Sequence, residues 1–281
     1  MIESLRDILV VSDIDNTLLT PTEGIPSVNK ATIQLFCALG GKFTVATGRT
    51  VESVQQRLGD LTLSAPAITG GGGVLCDFST GERIKNEVLP RAVAYRALED
   101  IYCKFPTVGI EVMGADGLLY VVRGNEYVQR HLCQEELSCL LIPLEEIHCE
   151  WNKVLFAGDH ELLGRVKAFV EARYYPGIYF VETDSMYYEI LPEGVSKGQA
   201  LRDLCRYLKI PVENTIAIGD YYNDIELLQT AGHSVAVRNA PGEVQLAADE
   251  ITSSCMDGGV AEVLYRLIRQ YARECDSASR N

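Results

Sequence analysis

The residues able to do chemistry fall in four short segments: Asp13-Ile14-Asp15-Asn16-Thr17, Thr47-Gly48-Arg49, Lys197, and Gly219-Asp220-Tyr221-Tyr222-Asn223-Asp224. Carboxylate oxygens are the ligands Mg²⁺ prefers. A carboxylate can also attack phosphorus once a cation has removed the repulsion between the two anions. Asp13 and Asp15 are two residues apart, so in an extended segment they point the same way. One can then be the nucleophile and the other the general acid and base. The Thr47 hydroxyl, beside the Gly48 amide at a helix start, can donate to phosphate oxygens. The compact ammonium of Lys197 suits phosphoryl charge that a metal leaves unneutralised. Each has a plainer alternative: an Asx-turn at Asp13–Asp15, an N-cap at Thr47, an exposed helix-start lysine, and capping by Asn223 or Asp224 of the helix that follows.

Three of the segments follow apolar runs, at residues 8–11, 43–46 and 215–218. Runs of this length predict buried strands of a parallel sheet, and residues just past such strands collect at the carboxyl edge where open α/β sheets place their ligands. The predicted fold class is α/β, with a doubly wound, Rossmann-like core over residues 1–82 and 188–281. Core helices are expected at 26–39, 50–58, 198–208, 224–231 and 259–272, and core strands also at 41–46, 66–69 and 234–237. The glycines at 70–73 predict a turn into a hairpin, and the residues from Asp276 onward a frayed polar tail. Over 83–187 the alternation of strand and helix breaks down. Helices at 90–105, 126–137 and 160–174, with strands at 108–113, 118–122, 153–157, 178–182 and 187–191, predict an inserted α+β module.

A chain of 281 residues exceeds the usual single core, so two domains are expected. Hydrophobic residues at 47% are too many for disorder. A formal charge of −14 argues against a sequence-independent hold on nucleic acid or on an anionic membrane. The nine cysteines are scattered without a Cys-x-x-Cys pair, which predicts reduced thiols packed as small hydrophobes. The acidic start, with no long apolar run there or elsewhere, predicts neither a signal peptide nor a membrane span, and so a cytoplasmic location.

The ordered set of four segments resembles the haloacid dehalogenase superfamily of phosphotransferases. The resemblance covers roughly residues 7–78 and 186–265. Glu189–Leu201, Ile218–Leu228 and Ala248–Leu264 look like its Cof-type branch, whose large cap is inserted between the second and third motifs. It implies a Mg²⁺-dependent phosphatase that cleaves a small phosphorylated metabolite, a sugar phosphate being favoured, through an aspartyl-phosphate on Asp13. Asp15 is then the acid and base. Asp13, Asp220 and the backbone carbonyl of Asp15 are the metal ligands, and Thr47, Gly48, Lys197 and Asn223 bind phosphate. Asp224 supports Lys197 or a metal-bound water, and Arg49 is a candidate substrate contact, with a salt bridge as the equal alternative. A closing cap favours small phosphate esters over phosphoproteins. The sequence departs from the family pattern at Asn16, where many members carry glycine, at Ser12, where many have an aromatic, and at Gly71, which takes an asparagine position. Two other functions stay open: a phosphomutase or other phosphotransferase of the same fold, and a non-catalytic phosphometabolite-binding protein. A response-regulator receiver is disfavoured by Asp15 and by the insert. The oligomeric state is left open.

Overall fold

The computed structural model describes residues 2–278 of the chain. The elements run β1 (Leu9–Ser12), α1 (Ser27–Ala38), β2 (Lys42–Val45), α2 (Val51–Leu58), β3 (Ala67–Thr69), β4 (Val74–Asp77), β5 (Glu82–Asn86), α3 (Arg91–Lys104), β6 (Gly109–Gly114), β7 (Leu119–Arg123), α4 (Glu126–Glu135) and β8 (Cys139–Leu141). They continue with β9 (Trp151–Ala157), α5 (His160–Glu171), β10 (Ile178–Asp184), β11 (Tyr187–Pro192), α6 (Lys197–Leu208), β12 (Thr215–Gly219), α7 (Ile225–Thr230), β13 (His233–Val237), α8 (Gly242–Ala247), β14 (Glu250–Thr252) and α9 (Gly259–Ala278). The chain divides into two compact units. One comprises residues 1–47, 55–84 and 196–281, the other residues 48–54 and 85–195.

In the first unit an all-parallel sheet has the order β14-β13-β12-β1-β2. Strand β1 is buried at every position, as a central strand covered on both faces must be. Its last residue, Ser12, pairs with Ile218 on one side and Val45 on the other. That register brings the ends of β12, β1 and β2 to one edge. Leu9, Val11, Ala217 and Ala236 of the sheet pack with Leu201 and Leu204 of α6 and with Leu227 and Leu228 of α7. Strand β3 does not extend the parallel sheet as the sequence led us to expect. It pairs antiparallel with β4, and beside β2 it makes a single parallel bridge, Ala46–Ile68, without joining the five-stranded sheet. Three short strands, β5, β8 and β14, were not expected, because three to five residues are too few to show a clear period. Helix α9 continues to Ala278, so the polar tail expected from Asp276 is helical at first, and residues 279–281 of it lie outside the described residues.

The second unit is built on a six-stranded sheet of order β10-β11-β9-β6-β7-β8, antiparallel except where β7 meets β8. Ile110, Val112, Val154, Phe156, Tyr188 and Ile190 line one face and pack on Leu98 and Ile101 of α3 and Val166 and Val170 of α5. The alternate residues, Glu111, Lys153 and Glu189 among them, face the other way and are also buried. Strand β11 lies between β10 and β9 in this sheet, so the unit runs on to Val195, past the end at 187 read from the sequence. Among the described residues no helix is long and apolar enough to cross a membrane.

The hairpin between β3 and β4 turns through Gly70, Gly71 and Gly72, at φ of 58°, 69° and 105°. At Gly72 a Cβ would also lie 2.2 Å from the Ser196 carbonyl oxygen, so the turn backs directly onto the start of α6. Gly72→Ala should therefore destabilise the protein by at least about 2 kcal/mol. A urea or thermal melt unchanged from wild type would show that the turn does not hold α6.

Candidate active site

Asp13 is the first residue past β1, and its amide donates to the Ile218 carbonyl of β12 at 2.8 Å. The next turn brings Asn16 to φ 57°, a left-handed conformation that glycine and asparagine accept best. The Asn16 carbonyl accepts from the side chain of Asn239 at 2.8 Å. Asp220 follows β12 directly, and Lys197 opens α6 behind its N-cap, Ser196, whose hydroxyl accepts from the Gln199 amide. Thr47 lies two residues past β2. Its amide donates to the Ile68 carbonyl and its carbonyl accepts from Gly71, so β3 and the turn after it hold it.

Asp13, Lys197 and Asp220 converge with Asp224, whereas the backbone of Thr47 is held by Ile68 and Gly71. The Lys197 Nζ lies 2.6 Å from Asp13 Oδ1 and 2.6 Å from Asp224 Oδ1. Asp224 Oδ2 accepts from the amides of Asp220 and Tyr221 at 3.0 and 3.1 Å. Asp224 thus ties the lysine to the turn that carries Asp220. Thr17, to which the sequence assigned no role, donates its hydroxyl to Asp220 Oδ1 at 2.8 Å. Its only signal was its fixed place at the end of Asp-x-Asp-x-Thr. Gly219 is required by the same crowding, since a Cβ there would sit 2.7 Å from the Cβ of Asp224. The Asp13, Asp220 and Asp224 carboxylates offer ligand atoms all within 4.8 Å of one another. Asp15 is half-buried and outside that set, yet its charge raises both Asp13 and Asp220. Asn223 is half-buried in the turn before α7.

Burial pushes Asp13 well above the usual carboxylate range. The charges of Asp224, Asp220 and Asp15 add to this, and Lys197 opposes it. Asp220 is pushed up to about 7, first by burial and then by Asp224, with the Thr17 hydrogen bond working the other way. Burial alone would lower the Lys197 ammonium, but Asp13 and Asp224 raise it above its ordinary value. For Lys197 the two carboxylates outweigh burial, whereas for Asp13 burial, with three acids added to it, outweighs the one lysine. The site as a whole carries excess negative charge. Asp13 Oδ2 and Asp220 Oδ2 take no hydrogen bond among the described residues. Crowded hard oxygens with unused lone pairs fit a small divalent cation.

Arg49 falls in the second unit. Its Nη1 donates to Ser53 at 2.8 Å and lies 3.9 Å from Glu135 Oε2, so the salt-bridge alternative describes its surroundings. Glu135 also sits 3.4 Å from His131 Nε2, and His131 Nδ1 is 2.8 Å from Glu111 Oε2. Burial opposes protonation of His131, but its two glutamate partners outweigh that and raise it to about 10. Burial likewise opposes ionisation of Glu135, and the hydrogen bond and charge of His131, with Arg49 and Lys153, bring it down to about 2.

The model of the haloacid dehalogenase-like hydrolases matches residues 10–264. An HMP-PP phosphatase of Serratia proteamaculans is 27% identical, over 93% of this chain and 95% of its own. The 5-amino-6-(5-phospho-D-ribitylamino)uracil phosphatase of Bacillus subtilis is 28% identical, over 94% and 99% respectively. The crystal structure of a haloacid dehalogenase-like hydrolase from Bacteroides thetaiotaomicron superposes with a TM-score of 0.82 at 25% identity, covering 92% of this chain and 99% of that one.

The His131–Glu135 pair makes stability depend on pH in a defined way. A raised histidine stabilises fully below its ordinary value of 6.5 and progressively less as pH climbs toward 10. A lowered glutamate stabilises fully above its ordinary 4.5 and less as pH falls toward 2. The difference in unfolding free energy between wild type and His131→Gln should therefore peak between those ordinary values, on the order of 3 kcal/mol. It should shrink on both sides, and urea melts across that range that give a flat difference would contradict the pairing.

Proposed function

We propose that this chain, which belongs to the haloacid dehalogenase-like hydrolase family and is one of its phosphatases, hydrolyses a small phosphorylated metabolite with Mg²⁺ through an aspartyl-phosphate on Asp13. The observation that carries the proposal is Lys197 wedged between Asp13 and Asp224, with Asp220 in the same cluster, at the carboxyl edge of a parallel sheet. Asp13 and Asp220, with the backbone carbonyl of Asp15, would hold the Mg²⁺. When bound it neutralises phosphoryl charge that would otherwise repel the attacking carboxylate.

The free Oδ2 of Asp13 attacks phosphorus, and the ester oxygen leaves with the proton of Asp15. Asp15 then takes a proton from the water that attacks the aspartyl-phosphate, which releases inorganic phosphate and restores Asp13. Lys197, Thr47, the Gly48 amide and Asn223 hold the phosphoryl oxygens, and Asp224 keeps Lys197 charged and aimed. The core of the proposal is the first unit, and the second acts as the cap that selects the substrate. Sugar phosphates and related phosphorylated polyols are the favoured class, in keeping with the phosphoribityl compound named for the B. subtilis relative.

Phosphate release from a panel of sugar phosphates, nucleotides, pyridoxal phosphate and p-nitrophenyl phosphate, with Mg²⁺ and with EDTA, tests the proposal. Release that needs Mg²⁺ is expected. Conversion of a sugar phosphate to an isomer without release would instead make the enzyme a mutase. Asp13→Asn should lower turnover by at least about 10³-fold while the protein stays folded and still binds phosphate. Asp15→Asn should lower turnover of alkyl phosphates by about 10²–10⁴-fold and that of p-nitrophenyl phosphate by less, because nitrophenolate leaves without a proton. Equal losses on both substrates would remove Asp15 as the acid.

A further inference from the structure

Lys153 stands in the middle of β9 and is only 5% exposed. Its ammonium donates to Glu189 Oε1 at 2.7 Å and to the backbone carbonyl of Gly48 at 2.9 Å. Glu189 pairs with Leu155 across β11 and β9, two residues from Lys153, so the two charges share one face of the sheet. Removing such a pair from water is unfavourable, and apolar residues of similar volume often serve stability as well or better. Stability alone therefore does not account for the pair. Glu189 is 3% exposed, and its Oε2 has no hydrogen-bond partner among the described residues. The structure gives the carboxylate one evident task, to hold the lysine.

What the lysine holds in turn is a peptide group. A Cβ at Gly48 would meet nothing within 4 Å, so no side-chain packing orients this residue. Both peptide planes that flank it are held through their carbonyls. The plane before it is held through the Thr47 carbonyl, which accepts from Gly71 at 3.0 Å. The plane after it is held through the Gly48 carbonyl by Lys153. Peptide planes are rigid, so fixing their carbonyls fixes the torsions of Gly48 between them and the direction of its amide.

We infer that Lys153, backed by Glu189, is a positioning residue for phosphate binding. Its ammonium holds the Gly48 carbonyl so that the Thr47–Gly48 turn keeps the one orientation that receives a phosphoryl oxygen. This rests on the assignment of Thr47 and Gly48 to phosphate binding. Without the lysine, the plane after Gly48 loses the donor to its carbonyl, and part of the cost of ordering the turn falls on phosphate binding.

The test compares Lys153→Met, Lys153→Arg, Glu189→Gln and Thr47→Ala in the full chain. Binding of inorganic phosphate in Mg²⁺ is measured by calorimetry, kcat and KM with p-nitrophenyl phosphate, and folding by thermal melts. Folded Lys153→Met should bind phosphate about tenfold more weakly or worse, with at least as large a loss in kcat/KM. Lys153→Arg should recover part of both, and Glu189→Gln should fall between. A purely structural role would move the melting temperature and leave phosphate affinity alone, and that result overturns the proposal. Should Lys153→Met fail to fold, Lys153→Arg and Glu189→Gln decide by the same readouts, and wild-type phosphate affinity in both overturns it. Thr47→Ala with undiminished phosphate binding would show that the assignment beneath the proposal is at fault, and the proposal falls with it.

Discussion

A buried ammonium at 2.6 Å from each of two carboxylates is the interaction on which the rest of this structure depends. Lys197 is 3% exposed and Asp224 fully buried, so the ammonium has lost its water and has these carboxylates as its partners. Asp13, Asp15, Asp220 and Asp224 together outnumber the single lysine. The pairing therefore does not neutralise the site; it leaves a residue of negative charge whose sign and size suit a divalent cation. Burial, and after it the charge of Asp224, pushes Asp220 up to about 7.

Bringing these groups together is a problem of long range. Asp13 and Lys197 are separated by 184 residues, and Thr17 and Asp220 by 203. The parallel sheet solves most of it, because the register of β1 against β2 and β12 puts three strand ends at one edge. The last few ångströms come from glycines. Gly72 lets the β3–β4 turn sit on the start of α6, Gly219 makes room for Asp224, and Gly198 lets α6 approach the Glu226 carbonyl of α7, where a Cβ would lie 2.6 Å away. A larger residue at any of the three would move Lys197 or Asp224 away from the other.

That geometry also decides what could be read from the sequence. The parallel core was legible because its strands are continuous apolar runs that stop at acidic or hydroxyl residues, a signal carried by a few adjacent letters. Asp13, Thr47 and Asp220 were singled out on that basis, and Lys197 by the family resemblance. Thr17 was in view without a role, since nothing local shows that its hydroxyl reaches Asp220. The surroundings of Arg49 could not be read at all, because Glu135 is far along the chain and belongs to a helix in another stretch of pattern. The strands read at 178–182 and 187–191 as a pair closing the insert do pair as β10 and β11. That β11 also pairs with β9, a strand well back along the chain, had no local signal, and it keeps the chain in the second unit as far as Val195.

The buried charges of the second unit show the same limit more sharply. Glu111, Lys153 and Glu189 alternate with apolar residues along their strands, the pattern of a sheet with one solvated face. All three are instead buried. Burial of charge is tolerable only where the count closes, and here it closes with a histidine. Glu111, Glu135 and Glu189 face Arg49 and Lys153, which leaves one negative charge unless His131 is a cation. Its proton affinity is raised by the two glutamates it bridges, so it stays protonated across the neutral range. A neutral residue at 131 would leave Glu111 and Glu135 with one shared deficit of positive charge, next to the segment that Arg49 and Lys153 fasten. The electrostatic closure of this face and the anchoring of Gly48 are thus parts of one network, and neither is visible in any single stretch of the chain.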